Sequence, residues 1–109
     1  MHAFAPELTS AQRATLKGLA HSLRPVVLMG GDGLTDGVVA EITRALEDHE
    51  LIKIQVPGNN SAGEKRDALE ELKGKLPERS HVVGRIGRTV ILYQEQDPEE
   101  AKILLKNIG

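Results

Sequence analysis

Residues 30–33 read Gly-Gly-Asp-Gly, and Leu34, Thr35 and Asp36 follow at once. Glycine at Gly30, Gly31 and Gly33 lets backbone N–H groups approach a ligand with no Cβ in the way. Thr35-Asp36 is a helix-start signal, and a helix start adds unbonded N–H donors and the positive end of a dipole. The apolar run from Val26 to Met29 in front of the loop predicts a strand. A G-x-x-G loop set between a strand and a helix suits a phosphate, and in small domains such loops clamp an RNA backbone. A tight strand-to-helix connection without any ligand would use the same residues. The loop lacks the Gly-Lys-Ser/Thr ending that grips phosphate and magnesium, and it has no third glycine at the dinucleotide position.

Charge to accompany the loop is available at Lys17, Arg24, Lys53, Arg85 and Arg88. Each has a plainer reading. Arg13, Lys17 and His21 form a stripe at helical spacing that fits a solvated face. Arg85 and Arg88 fit the protection of a hairpin edge. Lys53 fits an exposed sheet surface or an ordinary surface lysine. No other chemistry is apparent. The four histidines are scattered, with no i, i+4 or His-x-His pair, and there is no cysteine, so no metal site is expected. Ser10, Ser22, Ser61 and Ser80 lack a nucleophile-elbow context. Neither a catalytic residue nor a cofactor is expected.

The chain has 109 residues, enough for one domain with one core. Its formal net charge is −2, which argues against a strongly basic nucleic-acid binder. The charges are segregated, however. Residues 36–50 carry Asp36, Glu41, Glu47, Asp48 and Glu50 against Arg44 alone, whereas residues 79–94 carry Arg79, Arg85 and Arg88 and no acid. A basic face can therefore exist on a slightly acidic protein. Phe4 and Tyr93 are the only aromatic residues other than histidine. Grip by base stacking on rings is thus excluded as the main mode, leaving backbone, shape and charge. No run approaches the ~20 apolar residues of a membrane span, and the N-terminus lacks the pattern of a secretory signal. A cytoplasmic monomer is expected.

The elements that must position the loop follow from periodicity. Thr9 and Gln12 have capping-box spacing, and Leu16, Leu19, Ala20 and Leu23 predict the buried stripe of a first helix. Gly18 in its middle suggests a close packing contact. A second helix over 35–49 buries Ile42, Ala45 and Leu46 with Val38 or Val39. Glu47, Asp48 and Glu50 oppose its dipole with no evident structural reward. A strand over 51–56 places Ile52, Ile54 and Val56 on one face. Residues 57–63 are a polar loop. A third helix over 64–76 turns Ala68, Leu69, Leu72 and Leu76 inward, and Pro77 stops it. Strands over 80–86 and 89–94 flank Gly87-Arg88 as a hairpin. Tyr93 is expected half-buried at a strand end, and Ile103, Leu104 and Leu105 are expected to dock on the body. The order is α-β-α-β-α-β-β, a single compact α/β (α+β) domain with a four-stranded mixed sheet.

Five blocks in this order resemble a known family. They are Lys17-Gly-Leu-Ala-His21, Pro25-Val-Val-Leu28, Gly30-x-x-Gly-Leu-Thr35, His49-Glu-Leu-Ile-Lys53 and Ile86-Gly-Arg-Thr-Val-Ile-Leu-Tyr93. They are similar to the bacterial YhbY proteins, stand-alone members of the CRM domain (chloroplast RNA splicing and ribosome maturation). The resemblance spans about residues 8–94. It implies an RNA-binding domain, without catalytic activity, whose fold is similar to the C-terminal domain of translation initiation factor three. It also implies association with precursors of the large ribosomal subunit, with residues 30–33, Asp32 included, as the RNA contact.

These observations together divide the chain into a flexible lead-in over 1–8, an RNA-binding domain over 9–94 and an acidic extension over 95–109. The expected function is recognition of structured ribosomal RNA, probed by the loop and by Lys17, Arg24, Lys53, Arg85 and Arg88, in large-subunit assembly. Asp32 inside the loop, Gln94 in place of a base after the Leu-Tyr pair, and the acidic stretch 95–100 motivate an alternative: a protein-interaction adaptor with weak RNA affinity. An acidic extension that screens the basic face would weaken RNA binding further.

Overall fold

The computed structural model describes residues 7–30, 33–56 and 62–104. The elements occur in the expected order: α1 (Ser10–Ala20), β1 (Pro25–Leu28), α2 (Asp36–His49), β2 (Leu51–Gln55), α3 (Ala62–Lys75), β3 (Ser80–Ile86) and β4 (Thr89–Gln94). They form one mixed sheet in the order β1-β2-β4-β3. β1 runs parallel to β2, while β4 is antiparallel to both its neighbours. The last strand in sequence is therefore central, and its residues 90–94 are all buried.

Both faces of that central strand carry a core, because successive side chains point to opposite sides. Val90 and Leu92 join Val27, Met29, Ile42, Leu46, Ile52, Ile54, Val56 and Leu72 beneath α2 and α3. Ile91 and Tyr93 join Leu8, Leu16, Ala20, Leu51 and Val83 beneath α1. The expected inward faces of α2, β2 and α3 are as observed at Ile42, Leu46, Ile52, Ile54, Val56 and Leu72. The Ala68 side chain and Leu105 lie outside what is described.

α1 begins at the predicted capping box. The Thr9 hydroxyl accepts from the Gln12 N–H at 3.1 Å, and the Gln12 amide oxygen accepts from the Thr9 N–H at 2.9 Å. Its inward face is narrower than expected. Leu16 and Ala20 are buried, but Leu19 and Leu23 are exposed. The reason is placement. α1 packs against β2, β3 and β4, and Val26 and Leu28 on β1 stay exposed. Gly18 faces open space, so no close contact explains it.

Two further expectations are corrected at the end of the sheet where β2 begins. Tyr93 is fully buried, and its hydroxyl donates to the Ile103 carbonyl at 3.4 Å. Glu50 has a structural reward: it is 3% exposed, and its carboxylate accepts from the Lys102 N–H at 2.9 Å and the Ile103 N–H at 3.4 Å. Glu50 holds φ +65 to do so. Gln94 is buried as well, donating to the Glu78 carbonyl at 3.2 Å. Residues 95–103 are thus fastened to the body, and Ile103 packs on the α1-side core.

Candidate nucleic-acid interface

The glycine loop leaves the C-terminal end of β1. The Met29 N–H donates to the Gln55 carbonyl at 2.8 Å, and the Val56 N–H donates to the Arg88 carbonyl at 2.8 Å. These two bonds bring the exits of β1 and β2 and the β3–β4 turn to one end of the sheet. Gly33 adopts φ +74, a left-handed conformation that glycine takes without Cβ strain. Its N–H donates to the Gly30 carbonyl at 3.0 Å, and the Thr35 N–H donates to the Gly33 carbonyl at 3.1 Å. The Gly33 N–H is therefore used inside the turn and is not a free phosphate donor. Gly31 and Asp32 lie outside the described residues.

α2 starts immediately beyond. Thr35 caps it, its hydroxyl accepting from the Val38 N–H at 3.2 Å. The N–H groups of Asp36 and Gly37 sit in the first turn, where a helix has no acceptor of its own. They are the donors that this end offers to an anion. A Cβ built at Gly30 meets nothing within 4 Å, so the approach to the turn is open on that side.

The cations fall into three places. Arg88 belongs to the loop end, exposed in the hairpin turn beside Val56. Lys17 lies on the α1 face, its stem laid across β3: a Cβ at Gly84 would come within 2.5 Å of Lys17 Cε. Lys53 lies on the same face, but it is not a free surface lysine. Its Nζ donates to the carbonyls of His21 at 3.1 Å and Leu23 at 3.0 Å, closing the C-terminal end of α1. Arg24 precedes β1 and so sits at the far end of that strand from the loop. Arg85 pairs with Val90 across the hairpin, which turns it to the α2–α3 side. There it lines a groove of about 490 Å³ along the free edge of β3, together with Arg13, Lys73 and His81. The loop end thus gathers Gly30, Gly33, the start of α2 and Arg88, and it does not gather Arg24 or Arg85.

Arg13 was read as part of a solvated stripe, and that is corrected. Its guanidinium donates to the carbonyls of Val82 at 2.7 Å and Val83 at 3.0 Å, where β3 bulges against β4. A lone glycine in a strand pattern signals a bulge or a close approach, and Gly84 is both. That signal was available in the sequence. His81, next to the bulge, stacks on Tyr93 with ring centroids 6.4 Å apart. Burial holds its pKa below the ordinary histidine value, Glu95 opposes this and Arg13 adds to it. Burial, with Glu95 and Glu50, pushes the Tyr93 hydroxyl up.

Periodicity also concealed an open strip of sheet. On the α1 face the row at the loop end is Leu28, Gln55, Thr89 and Ile86, one residue from each strand in register. Leu28 is 68% exposed and Ile86 70%. Among the described residues no group of three His, Asp or Glu is placed to hold a metal ion, and no helix is long and apolar enough to cross a membrane.

Comparison with known proteins places the chain. A family model for the CRS1 / YhbY (CRM) domain matches residues 8–94. A protein of Haemophilus influenzae named "RNA-binding protein" is 44% identical over 100 residues, covering 90% of this chain and 94% of the relative. One of Pseudomonas aeruginosa, named a probable RNA-binding protein, is 39% identical over 88 residues, covering 81% and 82%. The solution structure of a hypothetical protein from Staphylococcus aureus superposes with a TM-score of 0.71 at 32% identity, covering 86% of this chain and 95% of that one.

Proposed function

This chain belongs to the CRS1/YhbY (CRM) domain family, whose members are non-catalytic, and on that footing we propose that it binds structured ribosomal RNA and serves in assembly of the large ribosomal subunit. The observation that carries the reading is the convergence at one end of the sheet of the Gly30–Gly33 turn, the start of α2 and Arg88. An RNA phosphate meets the first-turn N–H groups of α2, the glycines let the backbone come close, and Arg88 and Lys17 supply charge at the flank. Structured RNA is then recognised by shape and backbone, since Tyr93 is buried and offers no ring to a base. The named function of the Haemophilus influenzae relative supports RNA as the ligand class. The assembly role comes from the family resemblance.

The test is sedimentation of the tagged chain from growing cells at low and high salt, with the co-purifying RNA sequenced. Co-migration with large-subunit particles, lost in Gly30→Val/Gly33→Asn, is the expected result. Asn tolerates the left-handed conformation of Gly33 better than other side chains do, so the fold is kept while the approach is blocked. Migration as free protein with no enriched RNA at either salt would overturn the reading.

A further inference from the structure

The described residues expose five large apolar side chains, and four of them fall on α1, β1 and the link between the two: Leu19, Leu23, Val26 and Leu28. Leu19 lies in the last turn of α1, and Leu23 and Val26 line one groove. Val26 and Leu28 point from the same face of β1. Such a continuous apolar surface on a small protein marks a contact site rather than ordinary surface.

Its setting specifies the partner. The groove holds about 360 Å³ and is lined by Leu23, Arg24, Val26, His49, Leu51 and Ile52, with no carboxylate among the described lining residues. Lys53 Nζ lies beside it, against the carbonyl of Leu23. Gln55, the register partner of Leu28, borders the other end with an amide. The strip then runs straight into the glycine loop, because β1 itself ends there. From Arg24 to Gly30 the extended chain spans roughly 20 Å. A cation at one end, the first-turn N–H groups of α2 beyond the other and an aliphatic floor between them match a chain that alternates phosphates with flat apolar faces.

We propose that the strip Leu23–Val26–Leu28 seats a short unpaired segment of the bound RNA, its bases lying on the aliphatic side chains and its phosphates reaching Arg24 and the glycine loop. This rests on the RNA reading above and deepens it. It assigns Arg24, which the loop end does not gather, to the same ligand. It also gives a chain with only two aromatic residues besides histidine a means of preferring interrupted helices over continuous ones.

The experiment compares two RNA duplexes of equal length at fixed ionic strength, one fully paired and one carrying a three-nucleotide bulge. The full-length chain and its V26T/L28T variant are titrated with each. Threonine is β-branched and suits an edge strand, and an unchanged melting temperature verifies the fold. The wild-type chain is expected to prefer the bulged duplex. V26T/L28T is expected to lose roughly fivefold on it, the lower end of a base-stacking contact, and nothing on the paired duplex. A wild-type chain that binds both duplexes equally, or a variant that loses equally on both, overturns this inference and leaves the RNA reading standing. A chain that binds neither overturns the RNA reading first. Self-association that V26T/L28T abolishes, with both RNA affinities unchanged, gives the strip to a second copy of the chain and overturns the inference.

Discussion

The two ends of the sheet treat polar groups in opposite ways. At the end where β2 begins, Glu50, Tyr93 and Gln94 are buried and bonded to the chain's own backbone at Lys102, Ile103 and Glu78. At the other end the first-turn N–H groups of α2, Arg88 and the row from Leu28 to Ile86 meet no comparable cover among the described residues. Burial with internal partners makes one end a structural clamp. Exposure of donors and side chains is what the proposed RNA reading asks of the other. The acidic extension belongs to the clamp: residues 97–103 pack at the end remote from the glycine loop, with Asp97 3.8 Å from Arg79. Through Ile103 it does not screen the loop.

Substitutions at the clamp should therefore cost stability and spare RNA binding. The largest effect is expected from Tyr93→Ala, which empties a fully buried ring site and removes the hydroxyl bond to Ile103. Truncation of a buried aromatic costs about 3–5 kcal/mol, read as a fall in the urea midpoint. Glu50→Ala should come next, at about 1–3 kcal/mol, because it strips the acceptor from two backbone N–H groups at a site closed to water. Glu50→Gln keeps one acceptor oxygen and should recover part of the loss. Equal losses in the two variants would show that the carboxylate contact with Lys102 and Ile103 contributes nothing. Loss of RNA affinity in either variant at a temperature where it remains folded would break the separation of the two ends.

That separation was only half legible in the sequence. Element order, the inward faces of α2 and β2 and the Gly87-Arg88 turn follow from local periodicity and turn chemistry, and the structure keeps them. The clamp does not follow from any local pattern. Glu50 joins its partners across 52 positions, and a carboxylate at a helix C-terminus looks locally like a cost. Likewise Arg13 and Val82, 69 positions apart, become neighbours only once β3 lies under α1. The turn that joins Gly30 to Gly33 was legible because its residues are adjacent in sequence. The open strip was not, because apolar residues at helical or strand spacing look buried until it is known that α1 stops short of β1.

At the loop end the expected effects are on binding. Arg88→Ala should leave the urea midpoint within about 0.5 kcal/mol, as surface changes do. It should reduce the slope of log affinity against log salt by about 0.7–0.9 if the guanidinium meets one phosphate. An unchanged slope would remove Arg88 from the interface and sharpen the site to α2 and the glycines.

The smallest expected effect is a pH dependence that belongs to the clamp side alone. His81 stacks on Tyr93 beside the bulge, with Arg13 and Glu95 as the charged groups that act on it. Its pKa in the folded chain lies below 6.5, chiefly through burial. The unfolded chain keeps a value near 6.5, so on acidification the unfolded state takes up the proton first. Stability is then fully present above about pH 6.5 and falls as the pH drops through that value, until the folded form is protonated too. The urea midpoint should decline as the pH falls through about 6.5, and His81→Gln should flatten the decline there. Arg13→Gln removes the charge that helps to lower the His81 pKa and should flatten it partly, at a cost in stability from the lost bonds to Val82 and Val83. An undiminished decline in His81→Gln would assign the acid sensitivity to carboxylates instead. RNA affinity measured over the same pH range on folded protein should not follow His81, since that residue lies across the sheet from the loop.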